Sequence, residues 1–348
     1  MIKARFERHQ LRFKRPSGTS RGVLRTKDSW YVELKDREGP TGIGECSIIE
    51  GLSLDDASQI DDRLTAFCQE PEKYLSNYRD AFRKYPAIQF AIEMAMQDLS
   101  NPEPFILYPS GFSDAQAGIL INGLIWMGDK QYMFDQINSK IDQGYQCIKL
   151  KIGAIDFEQE LSLLSYIRSH FSPEDIELRV DANGAFSPAD ALEKLNQLSE
   201  FELHSIEQPI RQGQTDKMAK LSQTTPLDIA LDEELIGVNT IENKRRLLQD
   251  IMPQYIILKP SLLGGFKSSD EWIDIANELG IEWWITSALE ANVGLNAISQ
   301  WTFTKQSDMP QGLGTGMLYE NNIESPLSLK GQYIHYDPNL EWANIFTS

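Results

Sequence analysis

Three carboxylates, Asp181, Glu207 and Asp232, each close a short apolar stretch of this chain and stand 26 and then 25 residues apart. Lys149 and Lys151 come one interval earlier, 30 residues separating Lys151 from Asp181, and Lys259 follows Asp232 by 27. In chain order the series is Lys-x-Lys, Asp, Glu, Asp, Lys. Carboxylates gathered in one place repel, and they do not all stay ionised unless a cation sits among them. An all-oxygen donor set favours a hard ion, Mg²⁺ first, with Mn²⁺ as a substitute. A lysine that serves as a base must shed its proton near neutrality, from an ordinary value of about 10.4. Burial and like charge are what lower it, and Lys149, Lys259 and the metal are the like-signed neighbours available to Lys151. Positive charge on a substrate carboxylate then makes its α-proton removable. One Asp at a strand end is an ordinary helix cap, but capping does not predict Asp, Glu and Asp flanked by lysines. Glu233 and Glu234 adjoin Asp232; strand alternation keeps Asp232 on the face of Ala230 and turns Glu233 away.

The elements that position these groups follow from hydrophobic periodicity. Leu178 and Val180 alternate with Arg179 and Asp181, and Ile148 and Leu150 alternate with Lys149 and Lys151, the period-2 pattern of strands. Asn183-Gly184 stops one strand and Ser187-Pro188 opens a helix. A strand of ~5 residues, a helix of ~12 and two loops of ~4 total ~25, the interval seen. Stretches at 119–125, 147–152, 177–181, 203–207, 227–232, 255–259, 281–285 and 311–315 give eight such strands. Eight predict a closed parallel barrel, whose active site lies at the carboxyl ends of the strands, where every charge named above falls. Before them, residues 1 to about 50 read as antiparallel strands, interrupted by a polar loop, Arg15 to Arg21. Helical patterns run from Leu54 to about Ser76 and from Tyr85 to Leu99. An aperiodic, proline-containing stretch at 102–117 crosses into the barrel.

Composition narrows the partners. The chain has 348 residues, 41% hydrophobic and 24% charged, room for a barrel and a smaller domain. Its 33 Lys and Arg against 51 Asp and Glu give a net charge of −18, which repels nucleic acid and anionic membrane. An anionic substrate therefore needs a local cluster of cations, which Lys149, Lys151, Arg179 and Lys259 supply. Cys46, Cys68 and Cys147 have no metal-ligand spacing, and an odd count fits a reducing compartment. No apolar run approaches ~20 residues, and Met1 to Phe6 shows no apolar signal core, so a cytoplasmic location is expected. The number of subunits is left open.

The segments KLKIG at 149–153, RVDANGAF at 179–186, EQPI at 207–210, LDEEL at 231–235 and ILKPSLLGG at 257–265 resemble the muconate-lactonising subgroup of the enolase superfamily. GIGECS at 42–47 is similar to that family's G-x-G-E-x-S segment. The resemblance implies a modified TIM barrel of (β/α)7β type at 113–316, with an α+β capping domain formed by 1–112 and the returning tail 317–348. It implies that the 15–21 loop folds over the active site, and that Asp181, Glu207 and Asp232 hold Mg²⁺. It further implies that Lys151 removes an α-proton and then protonates a departing hydroxyl on the same face, while Lys259 stabilises the developing charge from the opposite face. Lys149, Arg179, Asn183, Ser287 and Gly314 match positions near the substrate or the metal; Arg179 serves equally as an ion-pair partner of a carboxylate. Gly264-Gly265 and Gly312-Leu313-Gly314 either bring backbone close to the substrate or are plain turns.

Within the subgroup, the resemblance implies a dehydratase of menaquinone biosynthesis, acting on a cyclohexadiene carboxylate that carries a succinyl arm. The rival on the same fold is a racemase of N-acylamino acids or a dipeptide epimerase, which needs a base on each face. Dipeptide epimerases carry an Asp-x-Asp near the eighth strand, where this chain has Gly312-Leu313-Gly314-Thr315-Gly316. A mandelate-type enzyme needs a histidine late in the barrel, and none of the four histidines stands there. A Schiff-base aldolase using Lys259 leaves the three carboxylates idle, and a non-catalytic binder gives no reason to keep both lysines.

Overall fold

A run of alternating residues too long for one simple hairpin face opens the chain. In a computed structural model, which describes residues 2–19, 22–37, 39–153 and 155–346, this run forms β1 (Lys3–Thr19), β2 (Gly22–Lys35) and β3 (Thr41–Ser47). They make an antiparallel sheet in that order. Facing charges fix the β1–β2 register: Arg5 stands opposite Glu33 and bonds it at 2.6 Å. Arg15 to Thr19 continue β1, where a free loop was expected. Ser17, Gly18 and Thr19 pair with Leu24, Val23 and Gly22 after a register shift. Backbone pairing to β2 thus holds a polar stretch that lacks side chains for a core; Ser20 and Arg21 of the expected loop lie outside the described residues.

One face of this sheet, with Trp30, Val32, Leu34 and Cys46, packs on the Pro86–Leu99 helix through Ile88, Ala91, Ile92 and Ala95. The GIG of GIGECS makes the approach possible. A Cβ on Gly42 would lie 2.1 Å from the Ala95 carbonyl oxygen, and one on Gly44 2.0 Å from that of Ala91. The expected helix at 54–76 is broken into Ile60–Gln69 and Pro71–Leu75, since Pro71 starts a new helix rather than continuing one.

The stretch read as one strand at 119–125 divides. β4 (Ile119–Leu120) turns away to join the tail, and β5 (Gly123–Ile125) starts a seven-stranded parallel sheet. That sheet continues through β6 (Cys147–Lys151), β7 (Glu177–Asp181), β8 (Ser205–Glu207), β9 (Ile229–Leu231), β10 (Tyr255–Leu258) and β11 (Glu282–Ile285), each bonded to the next in chain order. Helices between the strands cover its outer face. Gln311 and Gly312 bridge its two edges: Gln311 pairs with Ile121 and Gly312 with Thr286, both parallel. The tail forms β12 (Leu327–Lys330) and β13 (Tyr333–Tyr336), and β13 pairs with β4. It also touches β1, where Glu320 donates its N–H to the Arg12 carbonyl and Arg5 lies 4.5 Å above the Phe346 ring. No helix among the described residues is long and apolar enough to cross a membrane.

Candidate active site

The register of the parallel strands sets the rim. Lys151 is level with Asp181, and Asp181 with Glu207. Glu207 is level with Ala230, two residues before Asp232. Inside the mouth lies a cavity of about 440 Å³, lined among others by Lys149, Lys151, Asp181, Asn183, Glu233, Lys259, Ser287 and Gly314. Leu24, Ile49 and Leu52 cover it from the N-terminal sheet and its following loop.

The charges are interlocked. Lys149 donates to Asp181 at 3.1 Å and to Glu207. Lys151 donates to Asp181 at 3.1 Å and to the Asn183 amide oxygen at 2.8 Å. Asn183 in turn donates to Glu233 at 3.1 Å, and Lys259 donates to Asp232. All three rim carboxylates are at most 3% exposed. Burial works against ionised Asp181, but Lys149 and Lys151 outweigh it and hold the carboxyl well below its ordinary range. Burial pushes Glu207 up to about 8; Lys149 opposes the rise, and nearby Asp181 and Asp232 add to it. For Lys149 and Lys259 burial disfavours the charge, yet their carboxylate partners prevail and raise both.

Among the described residues, no three carboxylate, imidazole or thiolate groups converge closely enough as they stand to hold a metal ion. The ammonium groups of Lys149, Lys151 and Lys259 bond the carboxylates that a cation would share. The residues nevertheless fit a hard cation. Three carboxylates stand on consecutive strands, and the Oε1 of Glu207, fully buried, has no hydrogen-bond partner. An acceptor left in that state is costly unless something positive meets it.

Two sequence expectations change here. Arg179 does not line the cavity. It points inward two residues, about 6.6 Å, below Asp181 on the same strand, with no exposure. Its Nε donates to Glu177 at 2.7 Å and Nη1 to the Pro310 carbonyl at 3.0 Å, and its guanidinium lies 4.3 Å from the Trp284 ring centre. Depth along the strand therefore makes it an ion-pair partner in the barrel interior. Glu233, set aside on alternation, does line the cavity. β9 ends at Leu231 and a 3₁₀ turn spans Glu233–Leu235, so the period of 2 no longer applies. Gly264 and Gly265 are not in the lining of this cavity either: their missing Cβ atoms make room for Gln89 and Glu93 of the Pro86–Leu99 helix.

Ser287 and Gly314 line the cavity, Ser287 sharing a 2.5 Å hydrogen bond with Thr315. Gln208, not singled out from sequence, organises the rim from beneath. Its Oε1 accepts from the N–H groups of Asp232 and Glu234, each at 3.2 Å, which fixes the turn carrying Asp232. Its place right after Glu207 in EQPI was the available signal. Asn122 and Lys140, also in the lining, left no pattern in the sequence.

Residues 133–338 match the family described as enolase C-terminal domain-like. A protein named o-succinylbenzoate synthase, from Desulfotalea psychrophila, is 49% identical, with 94% of this chain and 96% of its own covered. The crystal structure described as MenC from Desulfotalea psychrophila superposes with a TM-score of 0.85 at 45% identity, covering 96% of this chain and 99% of its own. A dipeptide epimerase from Enterococcus faecalis, solved with Mg and L-Leu-L-Tyr, gives a TM-score of 0.84 at 20% identity over 97% of each chain. At that identity the likeness is one of fold.

Proposed function

The chain belongs to the o-succinylbenzoate synthase family of the enolase superfamily, and from that premise we propose a Mg²⁺-dependent syn dehydration of 2-succinyl-6-hydroxy-2,4-cyclohexadiene-1-carboxylate to o-succinylbenzoate, in menaquinone biosynthesis. The enzyme is a lyase. The observation that supports this reading best is the near full-length likeness to a protein named o-succinylbenzoate synthase, and the placement of two lysines agrees with it. Lys151 ends β6 and Lys259 follows β10, four strands further round the sheet, so in an eight-membered ring they stand on opposite sides of the cavity. Closure by the Gln311–Gly312 bridges is the basis for assigning the (β/α)7β form, with 1–112 and 317–348 as the cap and 113–316 as the barrel.

When bound by Asp181, Glu207 and Asp232, Mg²⁺, or Mn²⁺ in its place, supplies positive charge beside the substrate carboxylate. Lys151, as the free amine, takes the proton α to that carboxylate. The electron pair of the broken C–H bond enters the ring, the C–O bond breaks, and Lys151 returns the proton to the departing hydroxyl as water. One residue on one face thus serves both transfers. Asn183 holds the Lys151 amine in line through its 2.8 Å hydrogen bond. Lys259 meets the developing charge from the other face and need not exchange a proton. Aromatisation makes the step strongly downhill, which lowers the demand on the remaining residues. The segment Gly312-Leu313-Gly314-Thr315-Gly316 carries no carboxylate to receive a dipeptide amine, so the epimerase reading has no support there. The reading places the enzyme in the cytoplasm.

The test is replacement of the base. Lys151→Ala leaves Ile148, Leu150 and Ile152 in the core, so the fold is expected to persist while formation of o-succinylbenzoate drops below about one per cent of wild type. A folded variant that keeps more activity reassigns the proton transfer.

A further inference from the structure

The substrate of the proposed dehydration is a dianion, and the charged rim engages only one of its two carboxylates. The other ends the succinyl arm, and it enters a protein whose net charge of −18 opposes it. Four lysines line the cavity among the described residues: Lys140, Lys149, Lys151 and Lys259. The last three bond rim carboxylates. Lys140 bonds none; its ammonium lies 4.4 Å from the centre of the Tyr145 ring, which also lines the cavity.

The route from the rim to Lys140 passes around the edge of β5. Leu124 is level with Lys149 on β6. The neighbouring Gly123 is level with Ile148 and turns to the opposite, helix-side face of β5, where it carries the stem of Lys140, whose Cδ and Cγ lie 3.1 and 3.2 Å from where a glycine Cβ would be. Opposite stand Gly312 and Gly314, which also line the cavity; a Cβ on Gly312 would meet Thr286 and one on Gly314 would meet Ile121. Asn122 lines the passage and, among the described residues, its side-chain amide has no hydrogen bond to the chain. An extended succinyl arm sets its terminal carboxylate roughly 5–6 Å from the ring, a little more than the spacing of about 4.8 Å between neighbouring strands. Lys140 also sits in the last turn of the Lys130–Asp142 helix, where a lysine suits the helix dipole with no ligand at all. Against that ordinary role, Lys140 lines the cavity and bonds no carboxylate among the described residues, and burial lowers its pKa unopposed.

We propose that Lys140 is the specificity-determining residue that binds the terminal carboxylate of the succinyl arm, through the seam between β5 and the Gln311–Gly314 segment. The proposal rests on the dehydratase reading, and its test separates the two. Binding of o-succinylbenzoate and of 2-propionylbenzoate, which lacks the distal carboxylate, is measured by calorimetry with the Mg²⁺-loaded enzyme. Wild type prefers o-succinylbenzoate by about 10-fold or more, the range of one charge-assisted hydrogen bond. Lys140→Met keeps the stem and drops the charge; it reduces that preference to about threefold or less and leaves 2-propionylbenzoate within about twofold. Lys140→Arg recovers most of the preference, and in turnover Lys140→Met raises KM with kcat within about twofold. A Lys140→Met enzyme with undiminished preference, or one that weakens both ligands equally, overturns the assignment while the function stands. A wild-type enzyme that binds neither ligand overturns the dehydratase reading and the Lys140 assignment with it.

Discussion

Replacing Arg179 by Met distinguishes a residue that binds substrate from one that holds the barrel together. The structure gives the guanidinium two hydrogen bonds, to Glu177 at 2.7 Å and to the Pro310 carbonyl at 3.0 Å, and a face against Trp284. Met keeps the stem against the indole and loses both bonds. Breaking a fully buried ion pair costs about 3–5 kcal/mol, but the Glu177 side chain is 32% exposed and water can take up its carboxylate. That discount brings the pair to about 1.5–3 kcal/mol, and the stranded Pro310 carbonyl adds about 1. We expect a loss of about 3 kcal/mol in urea unfolding at pH 7, with KM within about twofold of wild type. The loss should also depend on pH. Burial alone would raise Glu177, but Arg179 outweighs it and the carboxyl lies below its ordinary value. A depressed folded pKa means stabilisation that is present above the unfolded value, about 4.3, and fades as pH falls through the folded one. The gap between wild type and Arg179→Met should therefore narrow below about pH 4. Unchanged stability with a tenfold rise in KM would refute the reasoning and return Arg179 to the substrate.

Glu207→Gln should abolish the stabilisation that Mg²⁺ gives metal-stripped protein. In wild type that gain reaches about 2.7 kcal/mol at a hundred times Kd; a thermal shift retained in the variant contradicts the assignment of the carboxylate. Gly44→Ala should cost about 3 kcal/mol or prevent folding, because the added Cβ meets the Ala91 carbonyl oxygen at 2.0 Å and the sheet must part from the helix. A urea melt showing less than about 1 kcal/mol contradicts the close approach.

Parallel strands carry their charges to one rim in a way that spacing alone reveals, because one βα unit takes nearly constant length. Hence Lys151, Asp181, Glu207, Asp232 and Lys259 are legible from their intervals along the chain. Depth along a strand is not: Arg179 and Asp181 share a face, and only the register shows that one lies in the interior and the other at the mouth. Glu233 escapes because alternation ends with the strand, and the last strand residue is the least certain feature of a sequence pattern. The N-terminal hairpin shows the opposite failure. Arg15 to Thr19 are polar, and backbone pairing, which composition does not record, keeps them in β1. Lys140 comes to the cavity from a helix end, where a lysine is ordinary.

The central claim, a dehydratase with one proton-transferring lysine and a second that acts through its charge, is tested most directly in D₂O. Mg²⁺-loaded enzyme is incubated with the cyclohexadiene carboxylate and, separately, with an N-succinyl amino acid, and products and recovered substrates are followed by NMR. The account predicts rapid formation of o-succinylbenzoate, with any deuterium in recovered diene at retained configuration. Efficient inversion of the amino acid with deuterium on the inverted product, and no o-succinylbenzoate, would contradict it and make Lys259 the second base of a racemase.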